Sequence, residues 1–249
     1  MVHPKPPLLR LARRLALLAG GVAITVALAI VVLSSRRWPE YRFLHRWDAA
    51  HPAAMTAPAP APRDVDVART VAPTPSIGAA QMRLASAAAT RAAAPTLYDG
   101  AYVSLDYPGG DVAPDRGVCT DLVVRAFRDI GIDLQQAVHE DMASDFGAYP
   151  TIWGSDAPNA NIDHRRVPNL MVFFTRAGAA LPNSVDAADY LPGDVIAWQL
   201  GGGMTHIGIL TDRYSDDGLR PLVAHHIGGT PVVADFLFAR PVIGHFRYP

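Results

Sequence analysis

The sequence predicts an α+β protein in which a helix that begins at a lone cysteine packs on an antiparallel β-sheet. Two observations lead to this prediction. Apolar residues recur with helical spacing after Cys119, and short strand-like runs joined by glycine-rich turns follow Pro192. Because short strands joined by tight turns pair antiparallel, helices followed by such strands indicate an α+β arrangement.

One transmembrane helix is predicted to precede this domain. Residues 15–35, "LALLAGGVAITVALAIVVLSS", form an uncharged, mostly apolar run of 21 residues, which in a helix is about as long as a bilayer core is thick. A cleaved signal peptide would have a shorter apolar region and a small-x-small cleavage site beside it. An uncleaved membrane anchor is therefore favoured.

The basic residues on either side of this run are balanced in number, four before it and four after it in the next stretch of chain. Residues 1–14 are nevertheless short and positively charged, as is typical of a cytoplasmic tail. We therefore expect a single-pass protein of the bacterial inner membrane whose domain faces the periplasm.

Residues 36–76 are rich in Ala and Pro, as in "HPAAMTAPAPAPRD", and contain too few large apolar residues to form a core. This stretch is predicted to be a tether, and residues 77–249 to be the folded domain. The domain begins with an Ala-rich, Pro-free stretch, "IGAAQMRLASAAATRAAA", that predicts a helix. A net charge of −1 gives no basic field to attract nucleic acid, so that partner is excluded.

The helix that begins at Cys119 is predicted from its apolar stripe and ends at Gly131. Its apolar positions follow the i, i+3, i+4, i+7 spacing: Cys119, Leu122, Val123, Ala126, Phe127 and Ile130. A second helix is predicted around "NLMVFFTRAGAAL", after a polar loop, "YPTIWGSDAPNANIDHRRVP". The strands are predicted at "DVIAWQL", "MTHIGIL", "PLVAHHIG" and "VIGHFRYP".

Cys119 is a candidate nucleophile. A thiol attacks a carbonyl as thiolate, and a helix N-terminus and a nearby histidine both lower the pKa of a cysteine. The alternative is a buried apolar residue, because free cysteines are among the most buried residues. A lone thiol outside the cytoplasm is open to oxidation and cannot form an internal disulfide, which favours the nucleophile.

His206 is the candidate base, because it lies on a strand directly after a triple-glycine turn. Gly208 shares its face of the strand and is expected to leave room for the helix end. We expect Cys119 and His206 to lie within hydrogen-bond reach or slightly further apart. The third group should come from "LVAHHIG", where alternation puts His225 and His226 on opposite faces and leaves both possible.

These motifs resemble the papain-like bacterial cell-wall hydrolases of the NlpC superfamily. In those enzymes a Cys at a helix start is followed by a Pro-Gly-Asp strand, a His-x-Gly strand and a third polar residue on the next strand. More narrowly, "LDYPGGDV", "GVCTDLVVRAF", "NIDHRRVPNL", "PGDVIAW" and "HIGI" resemble the bacterial family known as domain of unknown function 1287. The resemblance covers roughly residues 98–248 and excludes the anchor and tether.

The resemblance implies Cys119 as nucleophile, His206 as base and His225 as the group that orients His206. It also implies that Tyr107 donates a hydrogen bond near the site, and no cofactor is expected. The relatives read His-Asn-Ile-Gly where this chain reads "HHIG", so His226 stays an alternative third residue. The backbone N–H of Cys119 is the expected first donor of an oxyanion hole, because it has no partner within the helix.

The motif "NIDHRR" contains the densest polar cluster of the domain: Asp163, His164, Arg165 and Arg166. A solvated loop is one interpretation. The other is substrate recognition, because paired arginines can bind the carboxylates of a peptide stem through bidentate hydrogen bonds. Asp194 in "PGD" is interpreted as a turn residue.

The sequence leads to three functional hypotheses. The first is a membrane-anchored cysteine hydrolase, an endopeptidase or amidase, that cleaves an amide bond of peptidoglycan through a thioester. The second is a catalytically inactive module on the same fold that binds or scaffolds the cell wall. The third is a metal site built from His206, from His225 or His226, and from His164 or Asp163. It is disfavoured because neither an HExxH motif nor a close His-x-His pair is present.

Overall fold

The computed structural model describes residues 77–249. The predicted cytoplasmic tail, transmembrane anchor and tether, residues 1–76, lie outside the described residues. Within residues 77–249, no helix has the length and apolar character needed to cross a membrane. The structure therefore covers the predicted α+β domain from Ile77 onward.

The described part of the chain contains four α-helices: α1 (Ala79–Ala93), α2 (Cys119–Asp129), α3 (Leu134–Ser144) and α4 (Val167–Arg176). The predictions of α1, α2 and α4 are confirmed, and α2 begins at the cysteine as expected. The sequence analysis missed α3. This helix buries Leu134, Val138 and Met142 in successive turns, and the Asp133 carboxylate caps it by accepting a hydrogen bond from the Gln135 N–H at 3.1 Å.

The strands are β1 (Leu97–Tyr98), β2 (Arg116–Gly117), β3 (Ala180–Leu181), β4 (Val195–Gly201), β5 (Met204–Tyr214), β6 (Pro221–His225), β7 (Val232–Ala234) and β8 (Val242–Phe246). Six of them form a sheet in the order β3-β8-β4-β5-β6-β7, and every neighbouring pair is antiparallel. A separate parallel pair joins β1 to β2. The predicted antiparallel sheet is confirmed; the short strands β3 and β7 were not predicted.

The two faces of the sheet are covered differently. On the helix face, Ile207 and Ile209 of β5 belong to the same buried core as Val123 and Phe127 of α2. The far face carries a second core built around Trp198 and is overlaid by residues 235–241, here called the covering segment. The Trp198 indole N–H donates to the Leu237 carbonyl at 2.8 Å, which fixes this segment on the sheet.

The "PGD" turn before β4 is built for close packing. Gly193 has φ +89°, and a Cβ there would lie 2.4 Å from the backbone oxygen of Gln81 on α1, so only glycine fits. Asp194 does more than form the turn. Its buried carboxylate accepts hydrogen bonds from the His245 ring at 2.8 Å and from the Arg247 guanidinium at 2.7 and 2.8 Å, which joins β8 to β4.

Candidate functional site

Cys119 lies at the first position of α2, with its side chain in the core between helix and sheet and 6% exposed. The helix start is fixed by Asp121, whose carboxylate accepts the Val118 N–H at 2.7 Å. The backbone N–H groups of Ile207 and Thr120 lie close enough to the thiol to lower its pKa. Backbone groups from the helix start and from β5 therefore act on one sulfur atom.

The pKa of Cys119 is raised, whereas a helix start was expected to lower it. Burial and, to a smaller extent, the nearby Asp121 carboxylate raise the pKa of the thiol to about 12, although backbone N–H groups oppose them. Removing a thiolate from water costs more than these backbone N–H groups return. Cys119 is therefore a neutral thiol in this structure, and the expectation of a lowered pKa is wrong.

His206 and His225 form a hydrogen-bonded pair on the far face of the sheet, with 3.0 Å between His206 Nε2 and His225 Nδ1. The strand register explains the pairing: His206 lies opposite Trp198 on β4, and His225 lies opposite Gly208 on β6. All these residues therefore share one face. His225 is the histidine that contacts His206.

His226 points to the other side of the chain. Its Nε2 lies 3.2 Å from the Gly229 carbonyl oxygen, and its ring meets Tyr98 edge-on at 5.0 Å. The sequence left open which of the two histidines meets His206. The register between β5 and β6 decides it, because it puts His225 on the same face of the sheet as His206. In the structure His226 does not contact His206.

Cys119 and His206 approach one strand from opposite faces. The backbone N–H of Ile207, the residue that follows His206, lowers the pKa of the thiol, while the His206 ring stacks on Trp198 on the far face. Within residues 77–249 no hydrogen bond joins Cys119 to His206, and the His206 ring bonds to His225 through Nε2. The His206 Nδ1, the nitrogen nearer its own backbone, is the one that does not face His225.

Gly208 was expected to leave room for the helix end, and this expectation is wrong. A Cβ at this position would lie 2.9 Å from both the Ala224 carbonyl oxygen and Val223 Cγ1, and 3.1 Å from the Cβ of His225. Glycine at this position makes room for β6 instead. That close approach brings His225 within reach of His206.

Both histidines of the pair are almost completely buried, 1% exposed for His206 and 2% for His225. Burial and the neighbouring histidines lower the pKa of His206 to about 3 and that of His225 to about 4. His225 Nε2 is buried and has no hydrogen-bond partner. The pair is therefore uncharged near neutral pH.

The "DHRR" cluster is not a solvated loop, because residues Asp163–Arg165 form a buried 3₁₀ turn against α2. The Arg165 guanidinium binds the Asp121 carboxylate through two hydrogen bonds of 2.8 and 3.0 Å, with the two side chains 2% and 4% exposed. The Arg165 carbonyl also accepts the Thr120 hydroxyl at 3.0 Å. Arg165 therefore holds the start of α2, and its buried guanidinium donates to Asp121 and to the Ala101 carbonyl at 3.0 Å instead of facing a substrate.

The other members of the cluster are also engaged. The Asp163 carboxylate accepts the Asn159 N–H and contacts the Arg166 guanidinium at 3.4 Å, and burial raises its pKa. The Arg166 guanidinium lies 4.1 Å from the centre of the Trp153 ring, a cation–π contact. His164 is buried with its Nδ1 unpartnered, and burial lowers its pKa to about 4.

Tyr107 is exposed and its ring meets His139 of α3 edge-on at 4.9 Å. The tyrosine that contacts the histidine end of β6 is instead Tyr98, through His226. Sequence analysis also missed Phe236, whose ring lies against both His206 and His225. No motif marks Phe236, because its contacts follow from the path of the covering segment over the sheet.

In residues 77–249, no group of three or more His, Cys, Asp or Glu side chains is arranged to hold a metal ion. The structure has instead a buried thiol at the start of α2 and a hydrogen-bonded pair of imidazoles on β5 and β6. These are the components of nucleophilic catalysis at a carbonyl group.

The fold and the site define an α+β protein with a buried free cysteine at a helix start and a histidine pair on the adjoining strands. The chain belongs to the family described as domain of unknown function (DUF1287), whose model matches residues 85–248. It is 49% identical over 152 residues to the protein described as "Uncharacterized protein YijF" of Escherichia coli strain K12. The aligned residues cover 61% of this chain and 74% of that protein. No solved structure matches the chain significantly.

Proposed function

We propose that this protein is a cysteine hydrolase of the papain-like NlpC type, anchored in the inner membrane, that cleaves an amide bond of peptidoglycan in the periplasm. One observation carries the proposal. His206 Nε2 lies 3.0 Å from His225 Nδ1, and the backbone N–H next to His206 lowers the pKa of the Cys119 thiol. This order supplies a nucleophile, a base and an orienting group.

In the proposed reaction the Cys119 sulfur bonds to the carbonyl carbon of the amide while its proton passes to His206 Nδ1. The N–H of Cys119 donates to the oxyanion that forms. The carbon–nitrogen bond then breaks, and the leaving amine takes the proton from His206. Water attacks the thioester, with His206 accepting its proton, and the carboxylic acid and the thiol are released.

The neutral resting state decides the order of these events. The pKa of Cys119 is raised to about 12 and that of His206 is lowered to about 3, so a thiolate–imidazolium pair is not formed in advance. Proton transfer to His206 accompanies the attack on the carbonyl carbon. His206 is thus a general base in the strict sense, and His225 keeps its Nδ1 side free by binding Nε2.

The cell-wall substrate and the membrane anchor are supported by the N-terminal sequence. An uncleaved apolar run at residues 15–35 followed by an Ala/Pro-rich stretch, residues 36–76, would hold the domain near the outer face of the inner membrane. Peptidoglycan is the abundant amide-containing polymer at that place. Endopeptidase cleavage of the stem peptide and amidase cleavage between sugar and peptide both fit the proposal.

The test is digestion of purified peptidoglycan by the full-length chain, with the products identified by mass spectrometry. Wild type should release muropeptide fragments, and Cys119→Ser should release none. His225→Asn should reduce the rate far more than the matched variant His226→Asn, because only His225 contacts His206. An unchanged rate in Cys119→Ser would exclude the mechanism.

A second candidate function, binding or scaffolding of the cell wall without catalysis, is favoured by the burial of Cys119 and its pKa of about 12. In that case the protein should co-sediment with peptidoglycan and leave it intact. Cys119→Ala should bind as well as wild type. Fragment release that depends on Cys119 would exclude this candidate.

A further inference from the structure

Aromatic rings enclose the histidine pair on the far face of the sheet. Phe236 in the covering segment lies 4.5 Å from the His225 ring, tilted by 31°, and meets His206 edge-on at 5.7 Å. Trp198 stacks on the His206 ring at 5.7 Å and meets Phe236 at 5.3 Å. The His206–His225 hydrogen bond therefore lies in an aromatic box that excludes water.

His225 has one ring nitrogen inside this box without a partner. Its Nδ1 faces His206, whereas its Nε2 is buried and makes no hydrogen bond. With Nδ1 as an acceptor, neutral His225 already carries its one proton on Nε2, so a second proton would add a positive charge with no counter-ion in an apolar environment. Burial, together with the neighbouring His226, lowers the pKa of His225 to about 4.

The charged groups around His225 do not offset that effect. The titratable groups that interact with it are His206 on β5 and His226 on its own strand. The carboxylate of Asp235, beside Phe236 in the covering segment, is bound by the Arg220 guanidinium at 2.7 Å. The Asp121 carboxylate, at the start of α2, acts on His226 and is bound by an arginine in the 3₁₀ turn.

We propose that Phe236 is a positioning residue: its ring closes the Nε2 side of His225 to water and so holds His225 as the neutral acceptor of the His206 Nε2–H. Its role in catalysis rests on the proposed function. With His225 neutral, His206 keeps Nδ1 unprotonated toward Cys119. A doubly protonated His225 would donate from Nδ1 to His206 Nε2, and the proton of His206 would move to Nδ1, where it blocks the base.

The first test is the titration of His225 by ¹⁵N NMR of the histidine rings in the full-length chain. Phe236→Ala opens the Nε2 side to water, so the titration midpoint of His225 should rise by about two pH units toward that of an ordinary histidine. Phe236→Tyr should restore the wild-type midpoint. Phe236→Leu, which keeps an apolar side chain, serves if Phe236→Ala does not fold, and should give an intermediate midpoint.

Phe238→Ala is the matched control. Phe238 lies in the same covering segment, is 42% exposed, and packs against Tyr190 at 5.6 Å. Its removal tests whether any disturbance of the segment shifts the histidines. A wild-type midpoint in both Phe236→Ala and Phe236→Leu, or an equal shift in Phe238→Ala, overturns the proposal.

The second test is the pH dependence of peptidoglycan digestion. Phe236→Ala should lose activity below about pH 6.5, where wild type and Phe238→Ala keep theirs. Digestion by Phe236→Ala that follows the wild-type profile although His225 titrates higher overturns the catalytic role. A wild type without turnover refutes the proposed function alone, because the NMR titration still decides whether Phe236 holds His225 neutral.

Discussion

Cys119 should react with iodoacetamide about a hundredfold more slowly near neutral pH than the same cysteine in the unfolded chain. With a pKa of about 12, a thiolate fraction of about 3 × 10⁻⁵ is expected at pH 7.4, against about 7% for an ordinary thiol. The ratio is about 2,000. A more basic thiolate is more nucleophilic, by roughly 30-fold over this range, which reduces the difference to about a hundredfold.

The measurement is the alkylation rate of the full-length chain between pH 6.5 and 10, followed by intact mass. The unfolded chain in urea is the internal control, since it presents the same single cysteine. The folded rate should rise about tenfold per pH unit throughout, because Cys119 stays far below its pKa. The unfolded rate should level off above about pH 8.5 to 9.

Two outcomes would refute this reasoning. A folded rate that levels off below pH 8 would mean that the thiolate is stabilised, and that burial does not dominate at Cys119. A slow rate that does not change with pH would mean that access alone limits the reaction.

Slow alkylation does not separate a hydrolase from a binding module, because a general-base mechanism also begins from a neutral thiol. Digestion of peptidoglycan makes that distinction.

Three further predictions concern stability. Arg165→Met should lower the free energy of unfolding by about 3 to 5 kcal/mol by leaving Asp121 buried and unpaired, and a loss below 1 kcal/mol in urea denaturation would contradict the buried pair. Gly193→Ala should lower the free energy of unfolding clearly more than Gly178→Ala in the same assay. Both glycines have positive φ, but only at Gly193 would a Cβ meet backbone, at 2.4 Å. Equal losses would argue against the close packing on α1. The pKa of His164 is about 4 in the folded chain and near 6.5 in the unfolded chain. Below pH 6.5 the unfolded chain therefore binds a proton that the folded chain does not, and the free energy of unfolding falls with the pH. Between pH 7 and 4.5 the wild type should lose about 2 kcal/mol more than His164→Gln, and parallel losses would show that His164 is not buried neutral.

The elements that the sequence predicted well depend on local chemistry. The helix α2 begins at Cys119 and stops before Gly131, which has φ +89°, because helical periodicity and a glycine stop signal are properties of neighbouring residues. The long strands β4 and β5 and the glycine turn between them follow in the same way. The helix α3 was missed because only three of its eleven residues, Leu134, Val138 and Met142, are large and apolar.

What the sequence could not predict depends on partners distant in the chain. Alternation along β6 separates His225 from His226, but only the register with β5 shows which one meets His206. The polarity of Arg165 suggested a substrate, whereas its partner is Asp121, 44 positions away in the sequence. Arginine is favoured in bidentate ion pairs of either kind, so composition alone cannot separate the two roles.

The pKa of Cys119 shows why a helix start is weak evidence for a reactive thiol. A helix N-terminus is worth about 0.3 to 1 kcal/mol for a negative charge, and up to about 2 kcal/mol when partly buried. A rise from an ordinary value to about 12 corresponds to about 5 kcal/mol against the thiolate, so burial outweighs the helix. If the protein is a hydrolase, the free energy for deprotonating Cys119 must come from bond formation to the substrate carbonyl, with His206 as base. Its rate should therefore depend more on how His225 and Phe236 hold His206 than on the thiol pKa.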